Sequence, residues 1–213
     1  MKTVFMESRY TGPVNLRKLV QENLPDKIGL ITTVQFLDCI PAIKKKLAGK
    51  EVLMAKGRQA YPSQLLGCDA DPANLIADKV DCFLYVGTGK FHPIKAAIDN
   101  IKPVFALDPV TGIFNRITQK ETDAYLKKKK GAMLRFLSAT NIGVLVSTKV
   151  GQHYHINLLD KLKEKYPQKH FYIFICDTVD YTQLNNFPFV EAWVNTACPR
   201  IDEDITIVNI SEL

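Results

Sequence analysis

The stretch that decides the fold is Asp81-Cys-Phe-Leu-Tyr-Val86, which is followed by Gly87-Thr-Gly89, a helical segment from Pro93 to Asn100 and Pro103-Val-Phe-Ala-Leu107. Both apolar runs are short and bounded by turn residues, as is typical of buried strands. A strand, a helix and a second strand in succession predict a parallel pair, because parallel neighbours need a crossover connection. This stretch therefore predicts an α/β sheet.

The same alternation extends in both directions along the chain. Before this stretch the pattern predicts strands at residues 27–34 and 51–55, a helix at 35–47 and a short helix with Asp71 as its N-cap. After a long helix at 119–137 the pattern restarts, with strands at 142–147, 171–176 and 191–196 and a helix at 154–165. We predict two similar α/β units with mainly parallel sheets flanked by helices, residues 1–118 and 141–213, joined by a long helix within 119–140.

Composition places the chain among ordinary globular proteins. Of its 213 residues, 46% are hydrophobic and 23% are charged, and the net charge of +6 fits an acidic or nucleic-acid partner without requiring one. No apolar run approaches the roughly 20 residues that span a bilayer, and the first residues form no signal peptide, so we expect no membrane association. Five cysteines without a CxxC pair predict no disulfide framework and a reducing cytoplasm.

Several loops at the carboxyl ends of the predicted strands carry small or charged residues, and open parallel sheets bind ligands at those ends. Gly87-Thr-Gly89 is suited to holding a phosphate or carboxylate through backbone N–H groups, although a plain turn has the same composition. In Ser147-Thr-Lys149-Val-Gly151-Gln152, Lys149 is either a carboxylate ligand or a solvated loop lysine.

Two cysteines have unusual surroundings. Cys68 ends Tyr61-Pro-Ser-Gln-Leu-Leu-Gly-Cys68, and Cys198 follows an apolar run and precedes Pro199-Arg200. Proline ends strand pairing and a nearby guanidinium favours the thiolate that binds metals. Read singly, each is also compatible with a buried structural cysteine. The remaining three lie in apolar runs or on a helix and are interpreted as core residues: Cys39, Cys82 and Cys176.

These segments together resemble the diphthamide synthase family. The resemblance is carried, in the family's order, by Thr33-Val-Gln-Phe36, Tyr61-Pro-Ser-Gln-Leu-Leu-Gly-Cys68, Tyr85-Val-Gly-Thr-Gly-Lys-Phe-His92, Leu107-Asp-Pro109, Val146-Ser-Thr-Lys-Val-Gly-Gln152 and Ala197-Cys-Pro-Arg200. The segments cover nearly the whole chain, and their combination is specific although no single one is.

The resemblance implies transfer of a 3-amino-3-carboxypropyl group from S-adenosylmethionine to a histidine of translation elongation factor two, the first step of diphthamide biosynthesis. It also implies three α/β domains that each give one cysteine to a [4Fe–4S] cluster, which cleaves S-adenosylmethionine when reduced. Cys68 matches the second-domain ligand and Cys198 the third-domain ligand. The residues expected to bind S-adenosylmethionine are Gly87, Gly89, Lys149, Gly151 and Gln152; no side chain is assigned a catalytic role.

The chain departs from the family because it resembles the second and third domains only. We therefore expect a split enzyme whose third cysteine comes from a polypeptide that supplies the first domain, or from a homodimer or heterodimer partner. One alternative is a non-catalytic scaffold that binds elongation factor two or a catalytic relative. Another is a general α/β module that binds a small anion at its glycine loop.

Overall fold

The computed structural model describes residues 4–19, 21–67, 70–100, 102–151, 157–200 and 206–213. The chain forms two compact units, Met1–Asp123 and Ala124–Leu213, each with its own sheet. The predicted α/β fold with two mainly parallel sheets flanked by helices is confirmed. In the described part of the chain, no helix combines the length and apolarity needed to cross a membrane.

The first unit is built on a five-stranded sheet. Its elements are β1 (Lys27–Thr32), β2 (Glu51–Leu53), β3 (Cys82–Val86), β4 (Val104–Leu107), β5 (Phe114–Arg116), α1 (Ile40–Lys46), α2 (Asp71–Asn74), α3 (Phe91–Asn100) and the beginning of α4 (Gln119–Ser138). The strand order is β2-β1-β3-β4-β5. The first four strands are parallel, and β5, which the sequence pattern did not predict, pairs antiparallel with β4.

Strand β3 is the centre of this unit's core. All of its residues are buried, because apolar clusters cover both faces of the sheet. Leu84 belongs to the cluster that contains Ile43 of α1, whereas Phe83 belongs to the cluster that contains Ala96 of α3. Gly29 of β1 leaves room for the Phe83 ring, since a Cβ atom there would lie 2.6 Å from Phe83 Cδ1. The helices therefore pack on opposite faces, as in a doubly wound sheet.

The second unit is built on a four-stranded sheet. Its strands are β6 (Asn141–Ser147), β7 (His170–Cys176), β8 (Ala192–Asn195) and β9 (Val208–Asn209), and its helices are α5 (Asn157–Lys165) and the rest of α4. The order is β7-β6-β8-β9, and all pairs are parallel. Phe136 of α4 and Leu162 of α5 are buried against Ile142 and Val144 of β6 in one apolar cluster.

A buried lysine closes the end of α4. Lys169 Nζ donates to three carbonyl oxygens at and just beyond the last turn, those of Phe136 (2.8 Å), Leu137 (3.0 Å) and Ala139. The ammonium also lies 5.0 Å from the centroid of the Phe136 ring. Since the last carbonyls of a helix have no partner inside the helix and carry partial negative charge, a cation at this position stabilises α4.

We expect Lys169→Met to lower the free energy of unfolding by about 2–4 kcal/mol, because it leaves buried carbonyl groups without a donor. Urea denaturation followed by circular dichroism measures the change. The matched control is Lys163→Met, an exposed lysine on α5, which should change the free energy by less than about 0.5 kcal/mol. Equal effects of the two substitutions would contradict this role of Lys169.

Candidate functional site

A buried hydroxyl group joins the carboxyl ends of β1 and β3. Thr32 Oγ1 donates to Val86 O at 2.6 Å. The backbone of Thr32 pairs on its other side, where Thr32 N donates to Ser63 O at 2.8 Å and Leu65 N donates to Thr32 O at 2.7 Å. The segment that leads to Cys68 therefore runs alongside the end of β1, as a short extension of the parallel sheet.

Gly67 brings this segment against α3. A Cβ atom on Gly67 would overlap the ring of Phe91, the first residue of α3. Phe91 comes directly after the loop that contains Gly87 and Gly89. Cys68 itself lies outside the described residues, so the structure places its neighbour Gly67 beside this helix and says nothing of the thiol.

The loop after β3 has two glycines with different roles. Gly87 N donates to Leu107 O at 3.0 Å, and a Cβ atom on Gly87 would lie 2.5 Å from Tyr85 Oη, so a larger side chain would clash. Gly89 has φ +76°, a conformation that favours glycine, and no described atom lies within 4 Å of the position of a Cβ atom. The loop opens into α3, whose first N–H groups have no acceptor within the helix. This arrangement is suited to receiving a carboxylate or phosphate.

Lys90 ties this loop to the start of α4. Lys90 Nζ lies 2.6 Å from Glu121 Oε1, and Glu121 Oε2 accepts hydrogen bonds from Thr118 N (2.9 Å) and Thr118 Oγ1 (2.8 Å). The hydrogen bond from Lys90 is the main cause that lowers the pKa of the Glu121 carboxyl to about 2, and the bonds from Thr118 add to it. The ion pair therefore fixes the loop of Gly87 and Gly89 relative to the helix that follows β5.

In the second unit, the loop after β6 contains Lys149. Lys149 N donates to Ser147 Oγ at 3.1 Å, and Thr148 N donates to Cys176 O at 2.9 Å, which extends the ladder between β6 and β7. The side chain of Lys149 is exposed, and Gly151 has φ +84°. Gln152 lies outside the described residues. The loop therefore presents a cation at the carboxyl edge of this sheet.

Asn195 fixes the turn that carries Cys198. Its Nδ2 donates to Cys198 O at 3.1 Å and to Asn209 Oδ1 at 2.7 Å, and its Oδ1 accepts from Ala197 N at 2.9 Å. Asn195 is buried at the end of β8, next to β6. Cys198 is half-buried and unbonded to any described cysteine. Sequence analysis missed Asn195, although an Asx residue that ends a strand shortly before a cysteine is a readable signal for such a turn.

The two loops of the second unit begin on neighbouring parallel strands. Thr196, directly after β8, donates from N (3.1 Å) and from Oγ1 (2.8 Å) to Leu145 O of β6. The turn of Cys198 and the loop of Lys149 therefore leave the same edge of one sheet. A thiol group and a cation are thus available at that edge.

The other described cysteines have different surroundings. Cys39 and Cys82 are buried in the first unit's core, and burial raises the pKa of both thiols, that of Cys82 to about 11. Cys176 was interpreted as a core residue but is only half-buried, because β7 lies at the edge of its sheet; burial raises the pKa of this thiol, and Asp177 adds to the rise. Among the described residues, no three His, Cys, Asp or Glu side chains form a metal-binding group.

A shallow pocket of about 240 Å³ lies beside the end of β7. Its lining is mainly apolar, with Leu145 and Phe174 among its residues, and it includes three polar side chains, Thr178, Asp180 and Gln183. Sequence analysis missed this pocket because its residues come from separate segments of the chain. It is suited to an apolar or aromatic group.

Comparison with known proteins decides the family. The family model for diphthamide synthesis proteins matches residues 3–206. The chain belongs to this family. The resemblance noted in the sequence is thereby confirmed, and it extends through both units of this diphthamide synthesis family member.

Curated relatives from archaea and fungi are similar to the chain over most of its length. The 2-(3-amino-3-carboxypropyl)histidine synthase of Pyrococcus horikoshii is 32% identical over 206 residues, which cover 90% of this chain and 57% of the relative. Subunit 1 of the corresponding synthase of Yarrowia lipolytica is 28% identical, over 84% of this chain and 41% of the relative. The chain spans about half the length of the curated relatives that it matches.

Solved structures of Dph2 from Pyrococcus horikoshii share the fold. The structure with a 4Fe-4S cluster matches with a TM-score of 0.75 and 29% identity, over 90% of this chain and 57% of Dph2. A second Dph2 structure matches with a TM-score of 0.78 and 28% identity, over 93% of this chain and 61% of Dph2.

We expect Glu121→Gln to lower the free energy of unfolding at neutral pH by about 1–2 kcal/mol, a figure reduced because Lys90 is largely exposed. The folded-state pKa lies below the ordinary value of 4.5, so the stabilisation is present above that pH and is lost as the pH falls toward 2. Urea unfolding of both proteins across this range measures the difference. A constant difference from pH 7 to pH 2 would contradict the ion pair, and Glu164→Gln on the exposed face of α5 is the control.

We expect Asn195→Ala to release the turn of Cys198 and to lower the free energy of unfolding by about 1–3 kcal/mol, since it leaves buried polar groups without partners. The Cys198 thiol should then react faster with iodoacetamide, as measured by mass spectrometry of its peptide. Asn185→Ala, an exposed position in the same unit, is the control. An unchanged rate at Cys198 in Asn195→Ala would show that Asn195 does not hold the turn.

Proposed function

We propose that the chain takes part in the first step of diphthamide biosynthesis, the transfer of a 3-amino-3-carboxypropyl group from S-adenosylmethionine to a histidine of translation elongation factor two. The observation that carries the proposal is the family match over residues 3–206. A relative named as the synthase of this step is 32% identical to the chain. The chain spans about half of such relatives. We assign the activity to this chain together with a partner that contributes a third cysteine.

We also propose a domain assignment, based on the family resemblance. We assign residues 1–118 to the family's second domain, residues 141–213 to its third, and residues 119–140 to the linking helix. In support, α4 covers most of the linking range, and each flanking sheet has its own core.

Cys198 fits the role of a ligand to a [4Fe–4S] cluster. Its thiol is half-buried at the carboxyl edge of a sheet, and the hydrogen bonds of Asn195 hold its backbone in place. Cys39 and Cys82 do not fit, because both are buried in the core with a raised pKa. We assign Cys68 and Cys198 as ligands because they match the family's second-domain and third-domain cysteines; Cys68 lies outside the described residues. The chemistry that a reduced cluster supplies when bound is cleavage of the bond between sulfur and the amino-acid carbon of S-adenosylmethionine.

The glycine and lysine loops are suited to the amino-acid portion of S-adenosylmethionine. Backbone N–H groups around Gly87 and Gly89 would hold its carboxylate, since the loop and the start of α3 favour an anion. Lys149 would add a positive charge from an exposed position, and we assign Gly151 and Gln152, which follow it in the sequence, to the same ligand. Lys90 is already paired with Glu121 and has a positioning role.

Two cysteines do not complete this site. Two thiolates leave two of the four iron atoms of a cluster without a protein ligand, whereas the proposed reaction needs one open iron. A third cysteine would come from a polypeptide that supplies the family's first domain, or from a homodimer or heterodimer partner. Such thiolates persist in a reducing compartment, and we therefore place the reaction in the cytoplasm.

We expect the purified chain, reconstituted with iron and sulfide without oxygen, to bind a cluster weakly and to transfer little or no label from S-adenosylmethionine to elongation factor two. Adding a polypeptide with the first domain and its cysteine should restore both. Absorption of the bound cluster and radioactive transfer with dithionite as reductant are the measurements. Cys68→Ala and Cys198→Ala should abolish cluster binding, with Cys176→Ala as the matched control.

Three results would change the assignment. Full activity without a partner would overturn the split-enzyme proposal. Cluster binding that survives both Cys68→Ala and Cys198→Ala would overturn the ligand assignment. Binding of elongation factor two without transfer, whichever polypeptide is added, would favour a scaffold.

A further inference from the structure

A strap of residues before the first strand crosses the carboxyl edge of the first unit's sheet. This N-terminal strap, residues 7–15, is attached beyond the end of β1, where Tyr10 N donates to Gln35 O at 2.7 Å. It is attached again beyond the end of β4, where Asn15 N donates to Pro109 O at 2.8 Å. In the sheet, β3 lies between β1 and β4, so the strap is fixed on both sides of the strand that leads to the glycine loop.

The strap has a third attachment, at the segment that leads to Cys68. Tyr61 begins this segment, residues 61–67. The Arg9 guanidinium lies over its ring, with Cζ 4.6 Å from the ring centroid, and the Tyr61 hydroxyl donates to Glu7 Oε2 at 3.2 Å. Because the cation stacks on the ring while a carboxylate binds its hydroxyl, the strap fixes the orientation of the Tyr61 side chain.

Arg9 joins the parts of this contact. Its Nε and Nη2 atoms lie 3.0 and 2.6 Å from Glu7 Oε2, and Nη1 lies 3.3 Å from Asp38 Oδ1, in the segment after β1. The Arg9 side chain is only 23% exposed. An isolated ion pair at a surface contributes little, but a planar guanidinium that contacts two carboxylates and a ring at once is held in one geometry. Arg9 therefore connects the strap, the segment after β1 and Tyr61.

The segment that Tyr61 begins is strained at Ser63. Ser63 has φ +65°, and it is the one residue other than glycine with a positive φ in the described part of the chain. Its side chain is fully buried, and its hydroxyl has no hydrogen-bond partner among the described residues. Each feature costs free energy, because a side chain at positive φ is crowded and a buried hydroxyl without a partner has lost its hydration. This conformation therefore persists only while its surroundings hold it.

The position of Tyr61 is coupled to the strained turn. Ser63 O accepts from Thr32 N at 2.8 Å, which ties the turn to the end of β1. Tyr61 N donates to the side-chain Oε1 of Gln64 at 3.1 Å, so a hydrogen bond spans Ser63 from one side to the other. Through Tyr61, the contacts of Arg9 therefore act on the turn.

We propose that Arg9 is a positioning residue, which through Tyr61 holds residues 61–67 in the strained conformation and so fixes the approach to Cys68. The role of Cys68 as a cluster ligand rests on the function proposed above, whereas the hold of Arg9 on the segment is a property of this chain alone. Without Arg9 the turn at Ser63 relaxes, because its strain is no longer balanced, and the segment leaves the end of β1 more often.

The first test measures local opening by NMR in the full chain without a cluster. Arg9→Gln should increase the rate of hydrogen exchange of the Leu65 amide, which donates to Thr32 O at 2.7 Å, by about tenfold or more. The Leu84 amide, in the centre of β3, should keep its wild-type rate. The matched control is Arg116→Gln, an exposed arginine of β5, which should change neither rate. An unchanged rate at Leu65, or an equal increase at both amides, would overturn the proposal.

The second test removes the strain. Ser63→Gly should raise the urea midpoint of unfolding, because glycine adopts φ +65° without crowding and has no hydroxyl to bury. In the double variant of Arg9→Gln with Ser63→Gly, exchange at Leu65 should return to within about threefold of the wild-type rate. A double variant that exchanges as fast as Arg9→Gln alone would show that Arg9 does not act on this turn.

The third test connects the segment to Cys68. The chain is reconstituted with iron and sulfide together with a polypeptide that supplies the family's first domain, and the loss of cluster absorption is followed after a chelator is added. Arg9→Gln should accelerate cluster loss about tenfold or more, and Ser63→Gly in the same chain should reverse most of this change.

Two outcomes of the third test are decisive in different ways. Equal rates of cluster loss in wild type and Arg9→Gln would overturn the positioning role, even with altered exchange at Leu65. A wild-type complex that binds no cluster would contradict the function proposed above, while the exchange rates at Leu65 would still decide whether Arg9 holds the segment.

Discussion

Parallel pairing of β1 with β3, and of β6 with β8, is the constraint on which the candidate site depends. Parallel strands end at the same edge, so the loops that follow them leave the sheet side by side. In the first sheet Thr32 is in register with Val86, and in the second Leu145 is in register with Asn195. An antiparallel neighbour would send its loop to the opposite edge, and β5, which is antiparallel, contributes no candidate site residue.

Buried polar side chains fix the positions of the loops that leave this edge. The hydroxyl of Thr32 binds the last carbonyl oxygen of β3, and the amide of Asn195 binds backbone groups beyond the end of β8. Breaking one of these contacts would leave a buried polar group without a hydrogen-bond partner. The loops are therefore held more firmly than is usual for surface loops. Ser63 is the counterexample. Its φ is +65°, and its buried hydroxyl finds no partner among the described residues. The approach to Cys68 therefore contains local strain.

The amino-acid sequence predicts the parts of this structure that depend on local patterns. Buried strands such as β3 and β6 are apolar throughout, and the glycine loop after β3 is visible in the sequence. The prediction of Asp71 as an N-cap was wrong, because Asp71 is the first helical residue and its carboxylate binds Arg58 Nε at 2.6 Å. The strand β5 and the roles of Lys169 and Asn195 were also missed. The three carbonyl acceptors of Lys169 lie 30 to 33 residues away in the sequence, and periodicity and spacing do not encode such contacts. The contacts of Asn195 with Ala197 and Cys198 are local, so that turn was readable in the sequence.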